Sequence, residues 1–300
     1  MVFNPNDADV NEGIVYGLDG EAYHAGPGIS KSGLWTIYTK TPAHYRFEER
    51  AEKNQNALDL GSATHLALLQ PEEFEAKVFL GPENRMGNKW KDALLEAEHR
   101  AGPSAIVLTT KDYERCQRIR DSGELCATLV EARRGAIIEA SGYATDPATG
   151  ALCRVRPDCY NPELGIIADL KTARDGGRRG FMNAVAEYGY HMQEAFYSDV
   201  WNRVLDFENL KGADQTVEAF IFIVIESAAP FQVSAYELAP SAVEEGRQAY
   251  QRALVQYATC KERERLGMPE RQAWPGYPEE PEPLDLPYWA YKLTPRPEAE

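Results

Sequence analysis

The sequence predicts an α/β protein: a mainly helical N-terminal part precedes a core with a mixed central sheet flanked by helices. Two observations predict this class. Up to about residue 130, apolar residues recur at the spacing of amphipathic helices. From residue 136 they alternate or run together as in strands, and two helical segments precede the last strands.

Helices dominate the first part of the chain. Ser30 and Ser32 offer N-caps for a first helix, and Pro42 suits the first turn of a second. Further amphipathic helices are predicted over residues 57–70, 88–100 and 110–122.

Strands dominate the second part. A three-stranded antiparallel meander is predicted over residues 135–146, 152–160 and 165–172, because the intervening Pro, Asp, Asn and Gly residues suit tight turns. Two helices should follow, near residues 178–188 and 190–205. Residues 216–227 are rich in β-branched and aromatic side chains, which predicts a buried central strand. A partner strand and a long helix are predicted over residues 232–239 and 241–264.

These elements suggest one domain with two extensions. The domain would cover residues 29–265, with a helical part over 29–130 and an α/β core over 131–265. Residues 1–28 are polar and are expected to form an N-terminal arm. Residues 266–300 are rich in proline and aromatic residues, which suggests an extended tail that packs on a neighbouring surface.

The composition excludes several classes of protein. The hydrophobic fraction of 43% is that of a globular chain, and no apolar run approaches the ~20 residues that span a bilayer. The first residues lack the features of a secretory signal. The five cysteines show no CxxC pair, so we expect reduced thiols in a cytoplasmic protein with no membrane partner.

The net charge of −15 argues against non-specific nucleic-acid binding by the whole surface. One segment differs: residues 151–180 contain six basic and four acidic residues. Either this is a chance fluctuation, or the segment carries the chemistry.

That segment contains a constellation of two carboxylates and a lysine. Asp169 and Lys171 are two apart on a predicted strand, so their side chains share one face. The preceding strand should bring Asp158 alongside Asp169. Adjacent carboxylates repel unless a cation neutralises them, and hard oxygen ligands suit Mg²⁺ or Mn²⁺. The lysine would orient water or stabilise developing negative charge. The alternative is an ordinary surface Asp–Lys pair.

Four motifs carry a resemblance to a known family. They are Gly61-Ser62-Ala63-Thr64-His65, Arg156-Pro157-Asp158, Asp169-Leu170-Lys171-Thr172 and Tyr190-His191-Met192-Gln193-Glu194-Ala195-Phe196-Tyr197. In this order they resemble the PD-(D/E)XK nuclease superfamily, in particular its RecB/RecE branch and the RecE-like phage exonucleases of the exodeoxyribonuclease VIII type. The similarity runs from about residue 28 to 260 and implies a restriction-endonuclease-like core.

The resemblance also implies roles for individual residues. His65, Asp158 and Asp169 would be metal ligands, with the backbone carbonyl of Leu170 completing the site. Lys171 would be the catalytic lysine, acting with Asp158 and Asp169. On the residues alone, His65 would rather be a buried structural histidine, and the motif context favours a ligand.

The remaining candidates would position the active site or the DNA. Gln193 and Tyr197 match the Q-x-x-x-Y motif and share a helix face, although a tyrosine at this spacing can also be a core residue. Further candidates for DNA contacts are His191, Arg174, Arg178 and Arg179, the arginines lying near a helix start. Glu139 is either an additional acidic residue of the site or an outward-facing strand residue.

The function implied is that of a metal-dependent double-stranded DNA exonuclease, digesting 5′-to-3′ and leaving single-stranded tails for recombination. Two alternatives remain: a nuclease-fold protein that binds or assembles on DNA without catalysis, and an endonuclease of the same superfamily. The cofactor would be Mg²⁺ or Mn²⁺. An iron–sulfur cluster is not expected because only Cys260 follows the core, and ATP is not expected because no GxxxxGK[ST] loop is present.

The partners implied are double-stranded DNA ends and a single-strand annealing recombinase. The resemblance also implies that copies of the chain assemble into a ring, for example a tetramer.

Overall fold

The structure is a computed structural model that describes residues 12–49, 55–208, 216–278 and 280–287. The strands in these residues are β1 (Gly13–Val15), β2 (Val78–Leu80), β3 (Ile106–Leu108), β4 (Ile137–Ile138), β5 (Ser141–Thr145), β6 (Leu152–Val155), β7 (Cys159–Asn161), β8 (Ile166–Ala173), β9 (Ala219–Glu226) and β10 (Val233–Tyr236). The helices are α1 (Gly20–Ala25), α2 (Lys31–Thr39), α3 (Pro42–Phe47), α4 (Gln55–Leu69), α5 (Pro71–Lys77), α6 (Gly87–Ala101), α7 (Thr110–Glu124), α8 (Ala127–Arg133), α9 (Arg178–Tyr188), α10 (Tyr190–Phe207), α11 (Pro240–Arg265) and α12 (Glu270–Ala273).

A mixed sheet with the strand order β10-β9-β8-β7-β4 forms the centre of the described structure. Strands β8 and β9 are parallel, and the other neighbours are antiparallel. Helices α9 and α10 connect β8 to β9, because two parallel strands need a crossover connection. Two smaller sheets accompany it: β1-β5-β6, and the parallel pair β2-β3.

The central sheet is covered by helices on both faces. Alternate side chains of β9 point to opposite faces, as the two-residue period of a strand requires. Phe220 and Phe222 enter the core that contains buried residues of α2, α10 and α11. Ile221 and Ile223 enter a second core with residues of α4, α7 and α8. Burial on both faces explains why this strand is a continuous apolar run.

The predicted meander is divided between two sheets, which corrects the sequence-based prediction. Its first strand breaks into β4 and β5, and its second into β6 and β7. Glu139 lies at the first break with φ of 46°, a left-handed conformation that a strand cannot contain. Pro157 lies at the second break, where it has no N–H group to donate to a neighbouring strand. Thus β5 and β6 pair in one sheet, whereas β7 and β8 pair in the other.

The described part of the predicted N-terminal arm is joined to the core, which also differs from expectation. Strand β1 pairs with β5, and Asp19 caps α1 through its side chain. The guanidinium group of Arg154 donates to the carbonyl of His24 at 3.1 Å and to that of Gly26, and Arg156 donates to that of Leu18. These contacts, which polarity alone does not predict, hold the segment in place. Residues 1–11 lie outside the described residues.

The start of the predicted C-terminal tail packs on α3 and α11. Trp274 is buried against Tyr45 and Tyr257. The N–H of Ala43 donates to the carbonyl of Pro275 at 3.1 Å. Residues 288–300 of the predicted tail lie outside the described residues. None of the helices that the structure describes combines the length and apolarity needed to cross a membrane.

Candidate active site

Asp169 and Lys171 lie on β8 and share the face that packs toward α9 and α10. The side chain of Asp169 is 2% exposed and that of Lys171 is 17% exposed, and the two form an ion pair. The aromatic ring of Tyr190 lies beneath the lysine, with 4.8 Å between Nζ and the ring centroid. The intervening Leu170 points to the opposite face and is buried in the second core. The DxK spacing therefore places a carboxylate and an ammonium group side by side in a site that is nearly closed to solvent.

Asp158 lies opposite Asp169 at the end of the β7–β8 hairpin. Cys159 pairs with Ala168, so the next position along brings the two aspartates together, as the predicted hairpin requires. Oδ2 of Asp158 accepts a hydrogen bond of 2.7 Å from the N–H of Leu170.

Helix α4 brings His65 to the same place. Its Nδ1 lies 3.7 Å from Oδ1 of Asp158. The side chain of His65 is 27% exposed, so it lies at the rim of the site and is not enclosed in the helical core. The structure thus assembles His65, Asp158, Asp169 and Lys171 from three separate segments of the chain.

Burial and mutual charge shift the pKa values of this group. Burial raises the pKa of Asp158 to about 6, with a further rise from Asp169 and opposing effects of His65 and Lys171. Burial alone would lower the pKa of Lys171, but the carboxylates of Asp169 and Asp158 outweigh it and raise that pKa above its usual value. Lys171 is therefore protonated at neutral pH. It is suited to donate hydrogen bonds and to stabilise negative charge, and not to accept a proton.

The oxygen atoms of the site are of the kind that a hard divalent cation prefers. Oδ2 of Asp169 is buried, and the ammonium group of Lys171 lies against it. The N–H and C=O groups of a strand residue point to the same side, so the Leu170 carbonyl faces the edge on which Asp158 lies. Carboxylate and carbonyl oxygens suit Mg²⁺ or Mn²⁺. Within the described ranges, no three His, Cys, Asp or Glu side chains are already clustered tightly enough to hold a metal; in this arrangement Lys171 neutralises Asp169.

Gln193 and Tyr197 extend from α10 toward the two aspartates. The amide of Gln193 donates a hydrogen bond to Oδ1 of Asp169. The hydroxyl of Tyr197 is hydrogen-bonded to the backbone of Arg156, and burial raises its pKa well above the usual value. Gln193 thus orients Asp169 directly, while Tyr197 supports the loop that carries Asp158.

Two other predicted residues lie close to the site without a described contact to its carboxylates. Nδ1 of His191 lies 3.2 Å from the carbonyl of Val185, and its ring stands edge-on to Trp35. Glu139 contributes its backbone, because its N–H donates to the Asp158 carbonyl at 3.1 Å. A catalytic role for the Glu139 side chain stays a prediction.

The arginines of the basic segment are either engaged within the fold or exposed. Arg154 and Arg156 are engaged with backbone carbonyls and contact the ring of Tyr23, so they fix the structure and are not open to DNA. The arginines that follow Lys171 are exposed, namely Arg174, Arg178 and Arg179. Fewer positive charges are therefore available to a ligand than the six basic residues of the segment suggest. The exposed arginines lie beyond the end of β8.

Comparisons with known proteins agree with this arrangement. Residues 38–272, well over half of the chain, match the family described as a PDDEXK-like domain of unknown function (DUF3799). The chain belongs to this PDDEXK-like family. No curated protein sequence matches it.

A crystal structure of a proposed exonuclease from Eubacterium rectale resembles this PDDEXK-like chain. The TM-score is 0.51 at 14% sequence identity, covering 80% of this chain and 86% of the other. At this identity the likeness concerns the fold alone. Together with the mixed sheet and its flanking helices, it confirms the predicted fold class of a restriction-endonuclease-like α/β core.

The PDDEXK-like site contains a second lysine that the sequence did not indicate. Lys31, at the start of α2, donates to the carbonyl of Tyr188, and its Nζ lies 5.8 Å from the centroid of the Tyr190 ring. Burial, with a contribution from Lys171, lowers the pKa of Lys31 to about 8. No sequence spacing links Lys31 to Lys171, because the packing of α2 against the α9–α10 junction creates their proximity.

Beside Gln193 on α10, Glu194 faces a different cleft of the PDDEXK-like domain, lined also by Glu237 and Arg247. Its side chain is buried, and its Oε2 lacks a hydrogen-bond partner. Burial, reinforced by Glu237, raises the pKa of Glu194 to about 8. The folded protein therefore holds a proton there that the unfolded chain releases near its ordinary pKa of 4.5.

Replacing Glu194 with Gln should make the stability less sensitive to pH. Between the unfolded and folded pKa values, only the folded state binds this proton, so a rise in pH destabilises the wild type. From about pH 5 to about pH 9, we expect its free energy of unfolding to fall by roughly 2–4 kcal/mol more than that of Glu194→Gln. Urea unfolding at both pH values measures the difference. The exposed Glu245→Gln serves as the control, and parallel pH profiles for all three proteins would contradict the assignment.

Proposed function

We propose that this protein is a metal-dependent DNA exonuclease that hydrolyses phosphodiester bonds. The observation that supports this most strongly is the convergence of Asp158, Asp169 and Lys171 at one sheet edge, with Gln193 hydrogen-bonded to Asp169. Members of the PD-(D/E)XK superfamily generally use divalent metals. An intact acid–acid–lysine set supports catalysis over a purely DNA-binding role.

Each residue would have a defined task. His65, Asp158, Asp169 and the Leu170 carbonyl would hold a divalent cation, which when bound supplies Lewis-acid stabilisation and lowers the pKa of water. Lys171, protonated by the influence of the two aspartates, would orient the attacking water and stabilise the charge on the phosphoryl oxygens. Gln193 would keep Asp169 in its orientation. The exposed Arg174, Arg178 and Arg179 would contact phosphates of the DNA.

The finer assignment rests on the resemblance of the sequence motifs to the RecE-like phage exonucleases. On that basis the substrate would be double-stranded DNA ends, the direction 5′-to-3′, and the product a single-stranded tail used in recombination. We also propose that the protein forms a ring of identical subunits and passes the tail to a single-strand annealing recombinase. Sedimentation under active conditions tests the ring, and a monomer alone would contradict it.

Incubation with linear duplex DNA and Mg²⁺ is expected to release nucleotides progressively from the ends. EDTA should abolish the release, because the carboxylates cannot act on phosphate without a neutralising cation. Duplexes labelled at either the 5′ or the 3′ end determine the direction, and covalently closed circles serve as the control substrate. Cleavage of closed circles would favour an endonuclease, while binding with no metal-dependent product would favour a non-catalytic protein.

A further inference from the structure

A cluster of aromatic rings lies directly beside Lys171. It consists of Trp35 and Tyr38 on α2 and of Tyr188 and Tyr190 at the α9–α10 junction, and is called here the aromatic platform. Trp35 and Tyr38 are stacked with 5.9 Å between their ring centroids. Tyr188 and Tyr190 lie 5.8 Å apart. The Nζ of Lys31 joins the two pairs, at 5.5 Å from the Trp35 ring and 5.8 Å from the Tyr190 ring.

The platform exposes two of its rings and is anchored through a third, that of Trp35. Tyr38 is 38% exposed and Tyr188 is 50% exposed, so each presents ring surface to solvent. Trp35 packs against Gly189, where an added Cβ would lie 2.6 Å from the indole Cδ2. Gly189 also has φ of 66°, so the chain turns there in a conformation that favours glycine. The Trp35 ring is thus held against the backbone at Gly189, and Tyr38 stacks on it.

Two lysines surround the inner end of the platform. The Nζ of Lys171 lies 4.8 Å and that of Lys31 5.8 Å from the centroid of the Tyr190 ring. The charges of these lysines repel each other, which contributes to the lowered pKa of Lys31. Positive charge beside exposed aromatic rings is the combination that binds single-stranded nucleic acid, in which every base offers a flat face for stacking. Under the proposed exonuclease function, the strand to be cut has to reach Lys171.

We propose that the aromatic platform binds unpaired bases of the DNA strand that enters the active site. Tyr38 and Tyr188 stack with the bases, and Lys31 binds a backbone phosphate next to the one that Lys171 contacts. Trp35 and Tyr190 support these groups from below. This inference rests on the proposed nuclease function, and it adds a single-strand subsite beside the catalytic residues.

The test measures binding without catalysis. In EDTA, fluorescence anisotropy compares a labelled short oligothymidylate with an oligonucleotide of equal length whose central nucleotides lack bases. We expect the wild type to prefer the oligothymidylate by about tenfold, given the strength of base–aromatic stacking. The double variant Tyr38→Ala/Tyr188→Ala should lose this preference. Lys31→Gln should weaken binding of both oligonucleotides by a similar factor, because it removes a phosphate contact.

Tyr277→Ala is the matched control, because Tyr277 is an exposed tyrosine that touches one ring, that of His44, outside the platform. It should bind both oligonucleotides as the wild type does. Thermal unfolding verifies that each variant is folded. Equal affinity of the wild type for the two oligonucleotides, or an unchanged preference in the double variant, would overturn the inference. If the preference is present but no metal ion supports hydrolysis, the subsite stands and the proposed nuclease function fails.

Discussion

Replacing Lys171 with Met is expected to lower the rate of nucleotide release by about 10²–10³-fold, the usual effect of removing one charge-stabilising donor from an active site. Lys171 lies against Asp169 in a site that is almost closed to solvent. Its raised pKa keeps it charged in the pH range of the reaction. Methionine preserves much of the side-chain volume and the contact with Tyr190, but it cannot hydrogen-bond to a water molecule or a phosphate oxygen.

The effect on activity has to be separated from an effect on folding. Lys171→Met leaves the carboxylate of Asp169 buried without its cation, and breaking a buried pair in this way costs about 3–5 kcal/mol unless the acid takes up a proton. The double variant Asp169→Asn/Lys171→Met removes both charges and should recover most of that stability without recovering activity. Nucleotide release and urea unfolding are measured on both variants and on Asp169→Asn. A folded Lys171→Met protein that digests linear duplex at the wild-type rate would refute the assignment.

Replacing Gly246 with Ala is expected to destabilise the protein by at least about 2 kcal/mol, through overpacking. Gly246 lies on α11 where this helix crosses α10. A methyl group there would overlap the carbonyl group of His191 and lie 2.7 Å from the backbone nitrogen of Met192. Backbone atoms of a packed helix cannot move aside as a flexible side chain can. The part of α10 that would be displaced begins at Tyr190 and includes Gln193, which hydrogen-bonds to Asp169.

Gly61→Ala is the matched control, because Gly61 also lies within a helix, α4, but has nothing within 4 Å of the position of an added Cβ. There the substitution should stabilise the protein by up to about 1 kcal/mol, the difference in helix propensity between alanine and glycine. Chemical unfolding of both variants gives the two values. Equal effects of the same sign would show that α10 and α11 are not in the close contact described.

The pairing of Asp158 with Asp169 and Lys171 was accessible from the sequence because it depends on short-range features. A turn of four residues, whose Glu163 and Leu164 N–H groups donate to the side chain of Asn161, defines the hairpin register. The two-residue period of β8 then places the side chains of Asp169 and Lys171 on the same face of the sheet. Strand types, the central apolar strand and the long C-terminal helix follow from periodicity in the same way.

The features that the sequence did not reveal depend on contacts between distant segments. The break at Glu139 shows in no periodicity, because glutamate rarely adopts a left-handed conformation and its type therefore does not signal one. Lys31 is 140 positions from Lys171, and the two lie beside the same Tyr190 ring where Trp35 packs on Gly189. The basic segment was misleading for the same reason: formal charge does not reveal that Arg154 and Arg156 are engaged with carbonyls of the N-terminal residues.

Arg154 and Arg156 determine how far the N-terminus of this protein can be truncated before the candidate active site loses its support. Arg156 stands two residues before Asp158 and is anchored at once to Leu18 and, at 2.8 Å, to the carbonyl of Glu139. A fragment trimmed to begin at residue 29 would keep every residue of the candidate active site. It would nevertheless remove the carbonyl acceptors of the Arg154 guanidinium and one of the two acceptors of Arg156, next to the loop that carries Asp158. We therefore expect a fragment that keeps its candidate active site intact to need residues 18–28, a segment that a boundary drawn from polarity alone would remove.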